Sequence, residues 1–189
     1  EEKLAERIVS LRPDLVVNDT LDTERNFILR LKSFGIKTVS FEDLGSGAEE
    51  TDLTINDLYD QEQHPLLQGN IEWGPQNFFL RDEFNNAKIH KTFARKVKAI
   101  LLAFGGTDSN NLTFKIFKKI YPYCVKNGIF VYVVSGSGYQ YIEEFQRYLA
   151  TLKPGNFEFV FCTGIMSKIM EKVQLGISSN GRTVYELGH

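Results

Sequence analysis

Val97-Lys98-Ala99-Ile100-Leu101-Leu102-Ala103-Phe104, closed by Gly105-Gly106-Thr107-Asp108 and followed by a helical stretch over 112–123, is the passage that decides the fold. An apolar run of this length leaves no polar face, so it reads as a strand covered on both sides, the mark of a parallel sheet. The glycines stop it, and apolar residues at helical spacing take over. The same unit of strand, small polar loop and helix recurs downstream. A strand over 129–134 closes in Ser135-Gly136-Ser137-Gly138 before a helix over 141–152. Another over 157–161 closes in Cys162-Thr163-Gly164 before a helix over 166–173. Leu175-Gly176-Ile177-Ser178 closes in Ser179-Asn180-Gly181, and a helix begins over 183–187. The rhythm predicts an α/β fold, a doubly wound parallel sheet whose loops gather at the carboxyl ends of the strands, where such sheets bind ligands.

Upstream the alternation continues. Residues 2–11 carry Leu4, Ile8 and Leu11 at helical spacing, and Pro13 stops them. Asp14-Leu15-Val16-Val17-Asn18-Asp19 reads as a short strand buried on both faces. A helix over 23–34 presents Phe27, Leu31 and Phe34 on one face and ends at Gly35. Lys37-Thr38-Val39-Ser40-Phe41 and Leu53-Thr54-Ile55 are strands, with a polar loop over 45–50 between them. Residues 60–92 are less regular, marked by turns at His64-Pro65 and Trp73-Gly74-Pro75, and the charged stretch 81–98 is the expected boundary or linking helix. The division expected is residues 1–92 and residues 93–189.

Composition bounds the function. The 189 residues hold 42% apolar side chains, with 15 Phe and 8 Tyr, enough for a real core, so wholesale disorder is excluded. A net charge of −2, with no Lys/Arg cluster, gives no broad attraction for nucleic acid or an anionic membrane surface. No apolar run nears the roughly 20 residues of a membrane span, and Glu1-Glu2-Lys3 is not a signal peptide. Cys124 and Cys162, each in an apolar stretch, read as buried free thiols, which fits a cytoplasmic location better than a disulfide framework. His64, His90 and His189 show no metal-ligand spacing, and no Ser/His/Asp or Cys/His arrangement stands out.

Three loops are candidates for anion binding. Their small residues let backbone N–H groups approach a phosphate, and the helix behind each loop adds partial positive charge. Gly105-Gly106-Thr107 fits this, with Asp108, Ser109 or Asn110 placed to cap the next helix; a tight turn needing glycine only for its backbone explains it as well. Ser135-Gly136-Ser137-Gly138 is weaker and is not the dinucleotide fingerprint. Asn180-Gly181-Arg182-Thr183 leads into a helix bearing Glu186. There Thr183 and Glu186 form a capping box on one reading. On the other, backbone amides and Arg182 meet a diphosphate while Glu186 accepts from ribose hydroxyls.

Taken in order, three motifs at consecutive strand ends resemble a known group of enzymes. They are Leu102-Ala103-Phe104-Gly105-Gly106-Thr107-Asp108 with Asn111-Leu112-Thr113, Val134-Ser135-Gly136-Ser137-Gly138, and Asn180-Gly181-Arg182-Thr183-Val184-Tyr185-Glu186. The set resembles the nucleotide-sugar hydrolase of pseudaminic acid biosynthesis and its spore-coat polysaccharide biosynthesis relatives. These in turn are similar to the lipid-II N-acetylglucosaminyltransferase, a two-lobed enzyme of the GT-B architecture. Leu15-Val16-Val17-Asn18-Asp19, Phe41-Glu42-Asp43-Leu44, Asp52-Leu53-Thr54-Ile55-Asn56, Gly74-Pro75 and Leu80-Arg81 look like the family's N-terminal lobe. The resemblance implies a GT-B-like pair of Rossmann-type lobes with parallel sheets, both incomplete, 1–92 being the latter part of one and 93–189 the first part of the other. It implies that Gly105, Gly106 and Thr107 face the phosphates, that Ile165 and Met166 meet the base, that Asn180, Gly181, Arg182 and Thr183 hold the diphosphate, and that Glu186 holds the ribose. The ligand it implies is a UDP-linked sugar, with no cofactor and no metal.

The resemblance also has departures. The hydrolase's catalytic His lies in a loop that would precede Glu1, so no catalytic residue is assigned, and Thr20 stands where the hydrolase has a Tyr. The chain is expected to be a fragment, with the activity belonging to the parent protein. Hydrolysis of a UDP-sugar is the leading expectation. A glycosyltransferase, or a non-catalytic nucleotide-sugar-binding module fused to a CMP-sialic-acid-synthetase-like domain, is the alternative.

Overall fold

Two parallel four-stranded sheets organise the chain, one in each of two units, Glu1–Phe79 and Leu80–His189. The computed structural model describes residues 1–88, 96–179 and 181–188. Residues 89–95, within the expected linking stretch and including His90, lie outside the described residues, as do Asn180 and His189. The α/β class and the Rossmann-like character of both units stand as expected.

The first unit comprises α1 (Glu2–Leu11), β1 (Leu15–Asp19), α2 (Arg25–Ser33), β2 (Lys37–Phe41), β3 (Leu53–Asn56) and β4 (Ile71–Trp73), with strand order β1-β2-β3-β4. Ala5, Phe27, Ile28, Leu31 and Ile36 make its apolar core, with Ile8 and Val16 packed on them. One face of the sheet buries polar residues instead: Thr38, Ser40, Thr54 and Asn56. The loop between β2 and β3 bonds to them, though Asn56 Oδ1 finds no partner among the described residues. Thr54 Oγ1 donates to the Ala48 carbonyl at 3.0 Å, Asn56 Nδ2 to the Asp43 carbonyl at 2.9 Å, and Thr38 Oγ1 to Asp52 at 3.1 Å. Asp43, fully buried, accepts from Thr23 and from the Gly45 N–H, which anchors the loop to the start of α2. The opposite face bears Val17, Val39 and Leu53 in register. Here the structure corrects the sequence reading. β1 is an edge strand, with Leu15 and Val17 50% and 58% exposed rather than buried on both faces. In α1, Leu4 and Leu11 are exposed, Ala5 is the buried residue and Ile8 packs beside it.

The second unit comprises α3 (Asp82–Asn85), β5 (Ala99–Ala103), α4 (Leu112–Lys126), β6 (Phe130–Ser135), α5 (Ile142–Leu149), β7 (Phe157–Phe161), α6 (Met166–Met170), β8 (Leu175–Ser178) and α7 (Arg182–Gly188). All its strands are parallel, in the order β7-β6-β5-β8. The chain winds from β5 out to β7 and then returns to the far side of β5. That reversal makes a topological switch point between β5 and β8. Every residue of β5 is buried, and alternate side chains serve two cores. Ile100 and Leu102 join Phe117, Tyr121 and Phe145 on one face; Leu101 and Ala103 join Phe84, Met166 and Ile169 on the other. Phe117 stacks on Tyr121 at 4.8 Å and meets Phe145 edge-on at 5.3 Å. Cys124 is buried there, and burial pushes its thiol up. Cys162 corrects the other half of the cysteine expectation. It is exposed, because it stands just past the end of edge strand β7 rather than inside it. Among the described residues no helix is long and apolar enough to cross a membrane.

Candidate functional site

A pocket of about 220 Å³ opens at the carboxyl ends of the second unit's strands. Its inner wall is Ala103, Val134 and Ser135, the last residues of β5 and β6. Gly105, Gly106 and Gly136 follow on the loops after those strands, and Cys162, Thr163 and Met166 come from the segment between β7 and α6. Arg182, Thr183 and Glu186 of α7 close one side, together with Arg81 from just ahead of α3.

Arg81 and Glu186 meet there. Arg81 Nε and Nη2 both reach Glu186 Oε1 at 3.0 Å, and Arg81 Nη1 reaches Glu83 Oε1 at 2.8 Å. The Glu186 side chain is 9% exposed and that of Arg81 49%. The capping box expected of Thr183 and Glu186 is therefore not what forms. The helix begins at Arg182, which places Thr183 inside it, and the carboxylate turns to Arg81.

The glycines of the first loop divide in meaning. Gly105 has φ +83°, a left-handed backbone that favours glycine. Gly106 has no such φ, and a Cβ there would meet nothing within 4 Å. Neither backbone nor packing calls for glycine at 106; what its bareness does is keep the pocket open. Gly136 has a third reason, since a Cβ on it would come within 2.7 Å of the Gly106 Cα. The loops after β5 and β6 touch through bare backbone.

Two helix termini near the pocket carry carboxylates. Asp108 caps α4 with both oxygens, accepting from the Leu112 N–H at 2.8 Å and the Thr113 N–H at 2.7 Å. The expected cap is real, and it places a carboxylate at the positive end of the helix. At α6, Glu83 accepts from the Ser167 N–H at 2.8 Å. Both helices are thus supplied with an anion by the chain itself.

Of the residues singled out in the sequence, Gly105, Gly106, Met166, Arg182, Thr183 and Glu186 come together on the pocket. Thr107, Ile165 and Gly181 are not among its lining; Thr107 lies against Gly138, and Ile165 is exposed. Asn180 is outside the described residues. Arg81, Cys162 and Thr163 line the pocket without having been picked out as site residues, and Ser135 and Gly136 line it from the loop that the sequence ranked weaker. Ser135 had a signal, being the polar residue that ends an apolar strand beside a glycine. For Arg81, over a hundred positions from Glu186, local patterning offered none.

No family model matches the chain. Two curated proteins are similar to it. An uncharacterized protein of Methanocaldococcus jannaschii is 26% identical over 97% of this chain and 40% of its own length. The spore coat polysaccharide biosynthesis protein SpsG of Bacillus subtilis is 28% identical over 98% of this chain and 56% of its own. The chain thus spans about half the length of the curated relatives it matches, and across nearly all of its own residues it is distantly similar to a protein named for spore coat polysaccharide biosynthesis.

Proposed function

We propose that the Leu80–His189 unit holds a UDP-linked sugar and that the protein works in surface polysaccharide or nonulosonic acid biosynthesis in the cytoplasm. On this reading Glu186 takes the ribose hydroxyls, and the diphosphate lies against Gly105, Gly106 and the segment 180–183. The base meets Ile165 and Met166. The reaction is hydrolysis of the sugar–diphosphate bond. The observation that carries it is the convergence of the Glu186 carboxylate, two arginines and a bare Gly106 on one pocket at the switch point of a doubly wound sheet. The similarity to SpsG supports the polysaccharide setting. Thr20, where the hydrolase has Tyr, favours a second reading, in which the sugar passes to an acceptor or is bound without turnover.

Calorimetric titration with UDP, with UMP and CMP as comparators, tests the binding. Saturable UDP binding, tighter than either monophosphate, is expected; a folded chain that takes up none of the three would sink the reading. Incubating the protein with a UDP-sugar then separates hydrolysis from transfer by whether free sugar accumulates without an acceptor.

A further inference from the structure

Arg81 stands between two carboxylates on the wall of the pocket. Its Nε and Nη2 take Glu186 Oε1, both at 3.0 Å, and its Nη1 pairs with Glu83 Oε1 at 2.8 Å. The guanidinium carbon lies 5.5 Å from the centre of the Phe84 ring, which is 2% exposed in the core that also holds Met166 and Ile169. Glu83 is fixed in turn, because its Oε2 accepts from the Ser167 N–H at 2.8 Å where α6 begins. The arginine is thus held by a buried ring and an anchored carboxylate, independently of Glu186. A planar fork held in this way presents its donors in a set direction, which a flexible ammonium would not. Glu186 has no comparable anchor of its own. Among the described residues its hydrogen-bond and ion-pair contacts all come from Arg81, and all fall on Oε1.

We infer that Arg81 is the positioning residue of the ribose subsite. By occupying Oε1 it holds the Glu186 carboxylate so that Oε2 accepts from the ribose hydroxyls, and it thereby sets the preference of the pocket for a ribonucleotide over one that lacks those hydroxyls. The inference rests on the reading of Glu186 as the ribose acceptor; it adds what fixes that acceptor and which feature of the ligand it selects. Arg81 acts through Glu186 and needs no contact with the nucleotide itself.

The experiment titrates the wild-type chain, Arg81→Ala and Arg81→Lys with three probes, and a melting curve confirms that each protein is folded. The probes are UDP, dideoxy-UDP, which lacks both ribose hydroxyls, and inorganic pyrophosphate. Wild type should favour UDP over dideoxy-UDP by about tenfold or more, the worth of hydrogen bonds to a charged acceptor. In Arg81→Ala that ratio should collapse towards one through loss of UDP affinity, with dideoxy-UDP and pyrophosphate bound as by wild type. Arg81→Lys keeps the charge but not the fork and should retain part of the ratio. It decides alone if the alanine variant does not fold, and a full wild-type ratio there overturns the inference. A merely structural arginine would weaken every probe together and leave the ratio intact. One that touches phosphate would weaken pyrophosphate and also leave the ratio intact. Either result overturns the inference while the nucleotide reading stands. Equal binding of UDP and dideoxy-UDP by wild type takes the ribose role from Glu186 and the inference with it. No UDP binding by folded wild type fells the nucleotide reading and the inference together.

Discussion

Glu186 faces two claims on one carboxylate. Both contacts from Arg81 go to Oε1, which leaves Oε2 for a ligand hydroxyl, so the ion pair and the ribose role are compatible. Arg81 gives the Glu186 carboxylate an ion-pair partner where its side chain is nine-tenths covered. Replacing Glu186 by Ala should weaken UDP by roughly 1.5–3 kcal/mol, the value of hydrogen bonds to a charged group. The titration is run beside a melting curve, because Arg81 loses its partner too; with half of Arg81 in solvent, that loss should cost stability no more than about 1 kcal/mol. A folded variant with unchanged UDP affinity would confine Glu186 to the ion pair. The sequence could place Glu186 one helical turn past Asn180-Gly181-Arg182-Thr183, but not say where its carboxylate points. A capping box and a ligand contact use the same residue types, and the choice was made by Arg81, a residue remote in sequence. Gly105 and Gly106 were equally alike as letters. Only φ and the space around each separate a glycine the turn needs from one the pocket uses.

At the scale of elements, what was legible followed burial. β5 and β6 and their helices stood out because a strand covered on both faces has to be apolar nearly throughout. β4 was missed, since Ile71-Glu72-Trp73 is too short to show a period. The exposure of β1 was misjudged because Leu15-Val16-Val17 is as apolar as a central strand while sitting at an edge. The polar face of the first sheet was invisible for a related reason: Thr38, Ser40 and Thr54 look like solvent-facing positions until a loop is folded onto them. Asp52 fastens that loop. The Thr38 N–H, donating at 2.9 Å, is the main cause that holds the Asp52 carboxyl below its ordinary value of 3.8, with the Thr38 hydroxyl and Lys37 adding to it and partial burial opposing. A carboxylate with a depressed folded pKa stabilises the fold above its unfolded pKa, and that stabilisation is lost as pH falls through the folded value. Asp52→Asn should therefore melt below wild type at neutral pH, by about 1 kcal/mol of stability, and the gap should close as pH drops through 3.8 and below. A gap constant with pH would mean that the charge of Asp52 contributes nothing.

The whole molecule repeats one device, a parallel sheet with its loops at the carboxyl edge, but spends it differently in its two units. In the first, the Asp43–Asp52 loop is consumed by internal bonds: Asp43 on Thr23 and Gly45, Asp52 on Thr38, Thr51 on the Gly47 carbonyl. In the second, strand-end loops frame the pocket that Gly105, Gly106 and Glu186 line. The proposed placement of the nucleotide there can be read by amide hydrogen exchange. With saturating UDP, exchange should slow in peptides covering Gly105-Gly106, Ser135-Gly136, Cys162-Thr163 and 182–186. Peptides from Glu1–Phe79 should keep their rates, since nothing in the UDP moiety requires them. Protection confined to the first unit would remove the nucleotide from this pocket. Slowing at Gly105-Gly106 with none at 182–186 would keep the diphosphate on the first loop while taking the ribose from Glu186.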